Sequence, residues 1–276
     1  MRELLEPRVV VLLLFLGVAN PAYAQPSEDL NLELPPLARV DDDPLPWGSW
    51  LAAAPLAGVT IALTIQGSPN NARWKRVGPI DDAFGALTAR TDRGRRQADR
   101  ASDVFLYTTI AAPILDAVLW PAREGASRSR SVYRLLALDS LSFSVSGLFV
   151  ASTKRVFRRA RPFDERCRAA DESPDCASSS RFKSFISGHT TAAFTGASLV
   201  CAHQRLRGRT LAGHLECATA MAMAVAAGGL RIAAEQHFVS DVIAGAVVGF
   251  LSGYILPLLL YRAPAEPTPR ETIQAW

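Results

Sequence analysis

Long apolar segments separated by short polar stretches make up most of the chain after residue 48. We predict core helices at about residues 49–66, 101–120, 135–157, 189–205, 215–234 and 239–261. A shorter amphipathic segment lies near residues 78–90, and no segment alternates convincingly in the manner of a half-buried strand. The pattern therefore predicts an all-α fold, a helical bundle of about six core helices.

Polar residues and a proline mark some of the predicted helix ends. Ser102 and Ser240 each precede an aspartate and are candidate N-caps. Pro121 lies just past the second predicted helix, where the chain no longer has to continue helical hydrogen bonding.

The last predicted helix has the composition of a membrane span, and a helix of 20 residues is about 30 Å long, as thick as the hydrocarbon layer. Its Gly245, Gly249 and Gly253 recur every four residues, which permits close helix contact. Asp116 and Asp139 lie inside the second and third predicted helices, where a membrane protein would use or pair them and a soluble bundle would expose them. We favour a membrane-embedded bundle, with a soluble exported bundle as the alternative.

The N-terminus indicates export. Residues 9–19 form an apolar run that is too short to span a bilayer comfortably, and Ala22-Tyr23-Ala24 fits a signal-peptidase site. The predicted divisions are a signal peptide (1–24), an extended linker rich in Pro and Asp (25–48), a helical domain (49–262) and a polar C-terminal tail (263–276).

The charge of the chain excludes little. Of its 30 basic residues only Lys75, Lys154 and Lys183 are lysines, and an arginine-rich codon usage accounts for most of the arginines. A formal net charge of +4 is too small to indicate a nucleic-acid partner, and the arginine clusters lack interleaved aromatic residues. We therefore expect no nucleic acid among the partners.

The chain has four cysteines and no C-x-x-C pair, which makes a cysteine-based zinc site improbable. Cys167 and Cys176 lie in a polar, loop-like stretch, and in an exported protein we interpret them as a disulfide. Cys201 and Cys217 lie in or beside apolar segments, as buried thiols or as a second disulfide across a helical hairpin.

Three polar groups of residues interrupt the apolar pattern. In the first, Lys154 and Arg161 are two helical turns apart, and Pro162 should end the helix at Arg161. By itself this group is also what a solvated basic helix end looks like.

The second and third groups contain histidines. Ser187, Gly188 and His189 stand at the start of the fourth predicted helix, where free N–H groups and the helix dipole favour an anion. His237 and Asp241 are four residues apart, so that the carboxylate can reach the imidazole, and Arg231 adds a cation nearby. Each group is weak evidence alone, as a helix cap or as a chance His/Asp pair.

Together the groups read K-x6-R-P, S-G-H and R-x5-H-x3-D, in that order, and this resembles the type 2 phosphatidic acid phosphatase superfamily, which also includes bacterial acid phosphatases and vanadium haloperoxidases. The continuation D-V-I-A-G at 241–245 is similar to the family as well, and the resemblance covers about residues 100–261. Two positions depart from the family pattern: Ile186 replaces the usual Pro, and Leu230 the usual Ser. Neither missing residue is an acid, base or nucleophile, but their loss can loosen the site.

The resemblance implies that His237 attacks phosphorus, Asp241 orients it, and His189 serves as acid and then base. It implies that the phosphate is held by Lys154, Arg161, Arg231 and the N–H groups around Ser187 and Gly188. Fixed cations then stand in for a metal, so we expect no metal and no cofactor.

The resemblance implies a phosphatase acting on a phosphomonoester or pyrophosphate, with a lipid phosphate favoured and a small soluble phosphomonoester as the alternative substrate. Two other functions stay open: a vanadate-dependent haloperoxidase, and a weakly active or non-catalytic membrane protein that keeps the fold. We expect the inner membrane, with the site facing the periplasm or outside, or a soluble periplasmic protein. A cleaved signal peptide gives this orientation only if one predicted helix does not span.

Overall fold

The structure is a computed structural model that describes residues 46–65, 71–75, 78–119, 128–169, 174–207 and 210–260. The predicted signal peptide, the tail, Pro121 and all but the last three residues of the predicted linker lie outside the described residues. Those three residues begin the first helix, with Pro46 in the first turn, where a missing N–H costs nothing.

The described residues form helices and short turns, so the predicted all-α bundle is confirmed. In chain order the helices are α1 (Pro46–Ile65), α2 (Pro79–Ala83), α3 (Asp92–Leu119), α4 (Arg128–Phe157), α5 (Asp164–Arg168), α6 (Gly188–Arg207), α7 (Leu211–Ala233), α8 (Val239–Phe250) and α9 (Leu256–Leu260). A π-helical turn, Leu251–Ile255, joins α8 to α9. Pro257 follows this turn and cannot donate the next helical hydrogen bond, which accounts for the break in the last predicted helix.

Helix α3 begins nine residues earlier than its predicted start. Its first residues are mostly polar, but a buried stripe that starts at Ala98 continues through Ser102 and Leu106 at helical spacing. The prediction that Ser102 is an N-cap is therefore wrong. Its hydroxyl lies inside the bundle and donates to the carbonyl of Ala227 at 3.0 Å.

Helix α6 is the centre of the bundle and packs against α3, α4, α7 and α8. Its small residues Ala193, Ala197 and Ala202 are fully buried. The three glycines of the last predicted helix lie against α6, where a Cβ at Gly249 would stand 2.5 Å from the carbonyl oxygen of Thr191. The close contact predicted from the glycine spacing is therefore present.

Two disulfides tie the bundle together. Cys167–Cys176 closes the loop after α4, and Cys201–Cys217 joins α6 to α7, which decides between the alternatives for that pair. All four cysteines of the chain are used.

Four helical segments are long and apolar enough to cross a membrane: Asp92–Leu119, Val132–Phe157, Leu211–Ala233 and Val239–Leu260. Large apolar side chains are exposed on their outer faces, among them Val104, Leu115, Phe149, Val247 and Leu259. Water would not favour such a surface, whereas lipid chains would cover it. The fold therefore fits a membrane protein.

The helices alternate in direction, so the polar groups meet at one end of the bundle. Helices α6 and α8 begin there and α4 and α7 end there, and we call this the upper end. The first residues of α3 join them, since Asp99 contacts Arg231.

Candidate active site

Helix α4 ends at Phe157, four residues before Arg161, and Arg158 then adopts a positive φ of 44°. The prediction that one helix carries both Lys154 and Arg161 on one face is therefore wrong. Arg161 instead lies in an extended segment, held by its N–H to the carbonyl of Arg181 at 3.0 Å. Its side chain still turns inward and is buried.

Three cations of the predicted site, Lys154, Arg161 and Arg231, lie within electrostatic range of one another. Arg161 donates to the carbonyl of Ser180 at 3.0 Å, and Arg231 pairs with Asp99. Lys154 makes no side-chain hydrogen bond or ion pair with any other described residue. Such a group of cations repels itself unless an anion lies between its members.

The N-terminus of α6 meets these cations. A Cβ at Gly188 would stand 3.2 Å from Nζ of Lys154, so glycine is what permits the ammonium to approach the first turn of the helix. The free N–H groups of that turn add to the positive field.

Ser187 plays a different part from the one expected. Its own N–H donates to the carbonyl of Asp241 at 3.1 Å, and its hydroxyl accepts from the hydroxyl of Thr190 at 2.8 Å. The preceding Ile186 is only 1% exposed and fills the core. The turn is therefore fixed in place by these contacts without the usual proline.

His189 stands in the first turn of α6 and is partly exposed. Its Nε2 lies 2.9 Å from Oδ1 of Asp103, on α3. Burial and the charge of Arg231 lower the pKa of His189 to about 4, although the contact with Asp103 acts in the opposite direction. The imidazole is therefore neutral at pH 7.

His237 lies in the short connection between α7 and α8 and is 1% exposed. Its Nδ1 is 3.6 Å from Oδ2 of Asp241, beyond hydrogen-bonding distance, and has no other partner among the described residues. Burial, followed by the charges of Arg161 and Arg231, holds the pKa of His237 well below its ordinary value. A neutral imidazole with a free nitrogen is what a nucleophile requires.

Asp241 is fully buried in the first turn of α8. Its Oδ2 accepts from the hydroxyl of Ser184 at 2.5 Å and from the N–H of Phe238 at 3.0 Å. Its Oδ1 accepts from Nη1 of Arg159 at 2.5 Å. The carboxylate is therefore positioned by these three groups rather than by His237.

The contact between Asp241 and the N–H of Phe238 also makes Phe238, not Ser240, the residue that precedes α8. The N-cap prediction for Ser240 is wrong. Ser240 lies inside the first turn, and its hydroxyl donates to Asp81 at 2.9 Å.

Sequence reasoning missed several residues that line or support the site: Asp81, Asp103, Arg159, Lys183 and Ser184. Arg159 belongs to the basic run before Pro162, and this position could have marked it as a candidate site residue. Asp81 comes from a segment far away in sequence, and nothing in its local pattern distinguishes it from the neighbouring Asp82.

A cavity of about 330 Å³ runs along the bundle beside the site. Helix α4 lines it from Phe143 to Lys154, a rise of about 16 Å at 1.5 Å per residue. Residues of α1 and α6, including Leu63 and Ala192, complete its largely apolar wall. Lys154 and Gly188 lie at its upper end, so the cavity reaches the group of cations.

Buried cations at a helix N-terminus, with two histidines beside them, define a site for a phosphate or a similar anion in an all-helical protein. Residues 136–264 match the family model described as the PAP2 superfamily. This match agrees with the superfamily that the motifs predicted. The matched range contains every predicted site residue, while α1, α2 and α3 precede it.

No curated protein and no solved structure matches the chain. The match to the family model supports phosphatase or related activity and the coarse class of a hydrolase.

Proposed function

We propose that the protein is a metal-independent phosphatase that hydrolyses the phosphate ester or pyrophosphate of a lipid through a phosphohistidine at His237. The observation that carries this proposal is the convergence of Lys154, Arg161 and Arg231 on the N-terminus of α6, beside a buried, neutral His237.

The three cations would bind the oxygens of the phosphoryl group. Arg161 and Arg231 are held by their contacts with Ser180 and Asp99, so these two cations need little reorganisation as charge develops in the transition state. The N–H groups of the first turn of α6 supplement them, with Gly188 allowing a close approach. The Ser187 N–H is already used by Asp241, so Ser187 supports the turn.

In the first step a ring nitrogen of His237 attacks phosphorus, and the bond from phosphorus to the ester oxygen breaks. His189 donates a proton to that oxygen, and the lipid alcohol leaves. A bound phosphate brings negative charge next to His189, which raises its pKa and supplies the protonated form. Asp241 stabilises the positive charge that develops on His237.

In the second step His189 takes a proton from water, and the hydroxyl attacks the phosphohistidine. The phosphorus–nitrogen bond breaks, inorganic phosphate leaves and neutral His237 returns. His189 is then protonated and ready for the next substrate.

The apolar cavity supports a lipid as the substrate. It ends at Lys154, so a substrate whose phosphate lies among the cations would extend its chain along α4 and away from the upper end. The exposed apolar faces of the surrounding helices support a position of this cavity at the depth of lipid chains. A small soluble phosphomonoester would leave the cavity unused.

We further propose that the upper end faces an oxidising compartment, outside the inner membrane. The Cys167–Cys176 disulfide supports this orientation, because it lies in the loop that carries Arg161 to the site.

The test is phosphate release by the detergent-solubilised protein, with chelator present, from a panel of lipid phosphates and from p-nitrophenyl phosphate. We expect release from at least one lipid phosphate, and an acid-labile phosphate on a peptide that contains His237 after rapid quenching. Release that requires a divalent metal, or no labelled His237, would contradict the mechanism.

A cavity variant separates the lipid from the soluble substrate. Ala151 lines the cavity, and Ala151→Phe should lower lipid turnover about tenfold by filling it while leaving p-nitrophenyl phosphate turnover within twofold. Val156→Phe changes an exposed position of the same helix and serves as the control. Equal losses on both substrates would contradict the assignment of the cavity to the lipid chain.

The same cations can also hold vanadate, so the panel includes halide oxidation with added vanadate and peroxide. Halide oxidation without phosphate release would favour the haloperoxidase alternative. Neither activity, in a folded protein that still binds sulfate, would favour a non-catalytic anion-binding protein.

A further inference from the structure

The aspartate beside the nucleophile is part of a larger buried charge network. Arg159 is 1% exposed, and its Nη2 contacts Oδ2 of Asp81 at 2.6 Å. Its Nη1 contacts Oδ1 of Asp241 at 2.5 Å. One guanidinium therefore bridges two buried carboxylates, from α2 and from α8.

The segment before α3 fixes this arginine in place. The guanidinium lies between the rings of Trp74 and Phe238, with its carbon 4.2 Å from each ring centre. The backbones of Trp74 and Arg159 are also bridged, and the N–H of Ala160 donates to the carbonyl of Trp74 at 3.1 Å. A cation held by two rings and two carboxylates has little freedom to move.

Asp81 is held as firmly as Arg159. Its two oxygens accept from the N–H and the hydroxyl of Ser240, each at 2.9 Å. Burial alone would raise the pKa of Asp81, but these hydrogen bonds and the Arg159 guanidinium outweigh it, and the pKa lies below its ordinary value. Asp81 is therefore an anion in the folded protein.

The charge balance of this network matters for His237. The titratable and charged groups that face its imidazole are Lys154, Arg161, Arg231, His189 and Asp241. If Arg159 paired with Asp241 alone, its positive charge would neutralise the one carboxylate that faces His237 among the described residues. Because Arg159 also pairs with Asp81, the group of one arginine and two aspartates carries one net negative charge.

We infer that Asp81 is a positioning residue of the active site: through Arg159 it holds Asp241 in place and preserves the negative charge that keeps His237 nucleophilic. Trp74 and Asp81 then support the active site, although both lie outside the part of the chain that matches the family. This inference rests on the proposed function, since it assigns a role in that reaction.

The test compares Asp81→Asn with Asp82→Asn. Both variants exchange a carboxylate for an amide at adjacent positions, but Asp82 is exposed and its charge is screened by water. The first readout needs no substrate: the affinity of the protein for sulfate, measured by calorimetry at pH 7. Loss of the Asp81 charge makes the site more positive, so we expect Asp81→Asn to bind sulfate about threefold more tightly and Asp82→Asn to change it less than twofold.

The second readout is the pH profile of kcat/KM with the best phosphate substrate. Asp81→Asn should lower kcat about tenfold without raising KM. Its acidic limb should move to lower pH by about 0.5–1 unit, because a more positive surrounding lowers the pKa of His237 further. Asp82→Asn should leave the limb in place.

A purely structural role for Asp81 predicts another outcome. Asp81→Asn would then weaken sulfate binding or leave it unchanged, and would not move the limb, which overturns the inference. If Asp81→Asn does not fold, Ser240→Ala removes the hydroxyl that donates to Asp81 and accepts from Arg159. This variant should lower kcat by a smaller factor without raising KM, and an unchanged kcat would contradict the inference. Tighter sulfate binding by Asp81→Asn, in a protein that releases no phosphate, would support the network and contradict the proposed function.

Discussion

Two buried histidines, His203 and His237, have almost the same exposure and opposite surroundings. His203 is 0% exposed, with Nδ1 2.8 Å from Asp116 and Nε2 3.0 Å from Asp139. His237 has no hydrogen-bond partner for Nδ1 among the described residues and faces mainly cations.

The different surroundings indicate a structural role for His203 and a chemical role for His237. With carboxylates at both nitrogens, His203 fits the protonated form that donates twice, and it joins α6 to α3 and α4. Such a histidine has no free nitrogen for a reaction. His237 has a free nitrogen because its position is set by backbone contacts and because Asp241 is held by other groups.

Their placement follows the same division. His203 lies 14 residues after His189 on α6, about 21 Å along the helix axis at 1.5 Å per residue. The Asp116 and Asp139 that raised the question of a soluble bundle are therefore paired inside the protein, far from the group of cations. A pairing of this kind is what a membrane-embedded bundle requires of its buried charges.

The largest expected effect that tests this comparison is the loss of His237. His237→Gln should lower phosphatase turnover at least about a thousandfold, because no other group can form the covalent intermediate. The melting temperature in detergent should change by no more than a few degrees, because the side chain makes no hydrogen bond with the described residues. The exposed His214 provides the matched control, His214→Gln.

If His237→Gln keeps its turnover, His237 is not the nucleophile and the comparison fails. It also fails if this variant unfolds as readily as a His203 variant, since His237 would then be a structural residue.

The second effect is on stability. His203→Gln leaves Asp116 and Asp139 without their shared cation inside the bundle, so we expect unfolding to become about 3–5 kcal/mol easier. Turnover per folded molecule should stay within twofold of the original protein. Chemical or thermal unfolding of His203→Gln beside His214→Gln measures the difference in the free energy of unfolding. A loss below about 0.5 kcal/mol, which is typical of surface substitutions, would contradict the structural role of His203.

The sequence carried enough to predict the six long helices and the residues of the three motifs. Apolar periodicity and fixed motif spacing are local signals, and both survive in a single sequence. The start of α3 was missed because residues 92–100 are mostly polar, and only the buried stripe from Ala98 onward shows that the helix extends there.

The residues that hold the site in place could not be predicted from the sequence, for a different reason. The contact between Arg159 and Asp81 joins residues 78 apart, and that between Ser184 and Asp241 joins residues 57 apart. Buried polar contacts of this kind have no period, and their partners are fixed only by the packing of the helices. The pairing of Asp116 and Asp139 through His203 was hidden in the same way.

The third effect concerns His189, the histidine that stands between the two extremes. His189→Gln should lower turnover of an alkyl or lipid phosphate about a hundredfold, because the leaving alcohol then needs its proton from water. The rate of the first step should fall less with p-nitrophenyl phosphate, because its leaving group needs no proton. Burst kinetics on both substrates measure that step, and equal losses on both would remove His189 from the role of acid.

The smallest effect is the pH dependence of anion binding, which distinguishes His189 from His203 without any catalysis. The pKa of His189 is about 4, and a bound anion must raise it by favouring the imidazolium. Sulfate, which does not itself titrate in this range, should therefore bind more tightly as the pH falls from 7 toward 4, by up to about tenfold per unit below the pKa of the complex. The slope should become smaller in His189→Gln and stay unchanged in His203→Gln. A flat profile in the unchanged protein would mean that the bound anion does not contact His189, and the assignment of the acid would have to be given up.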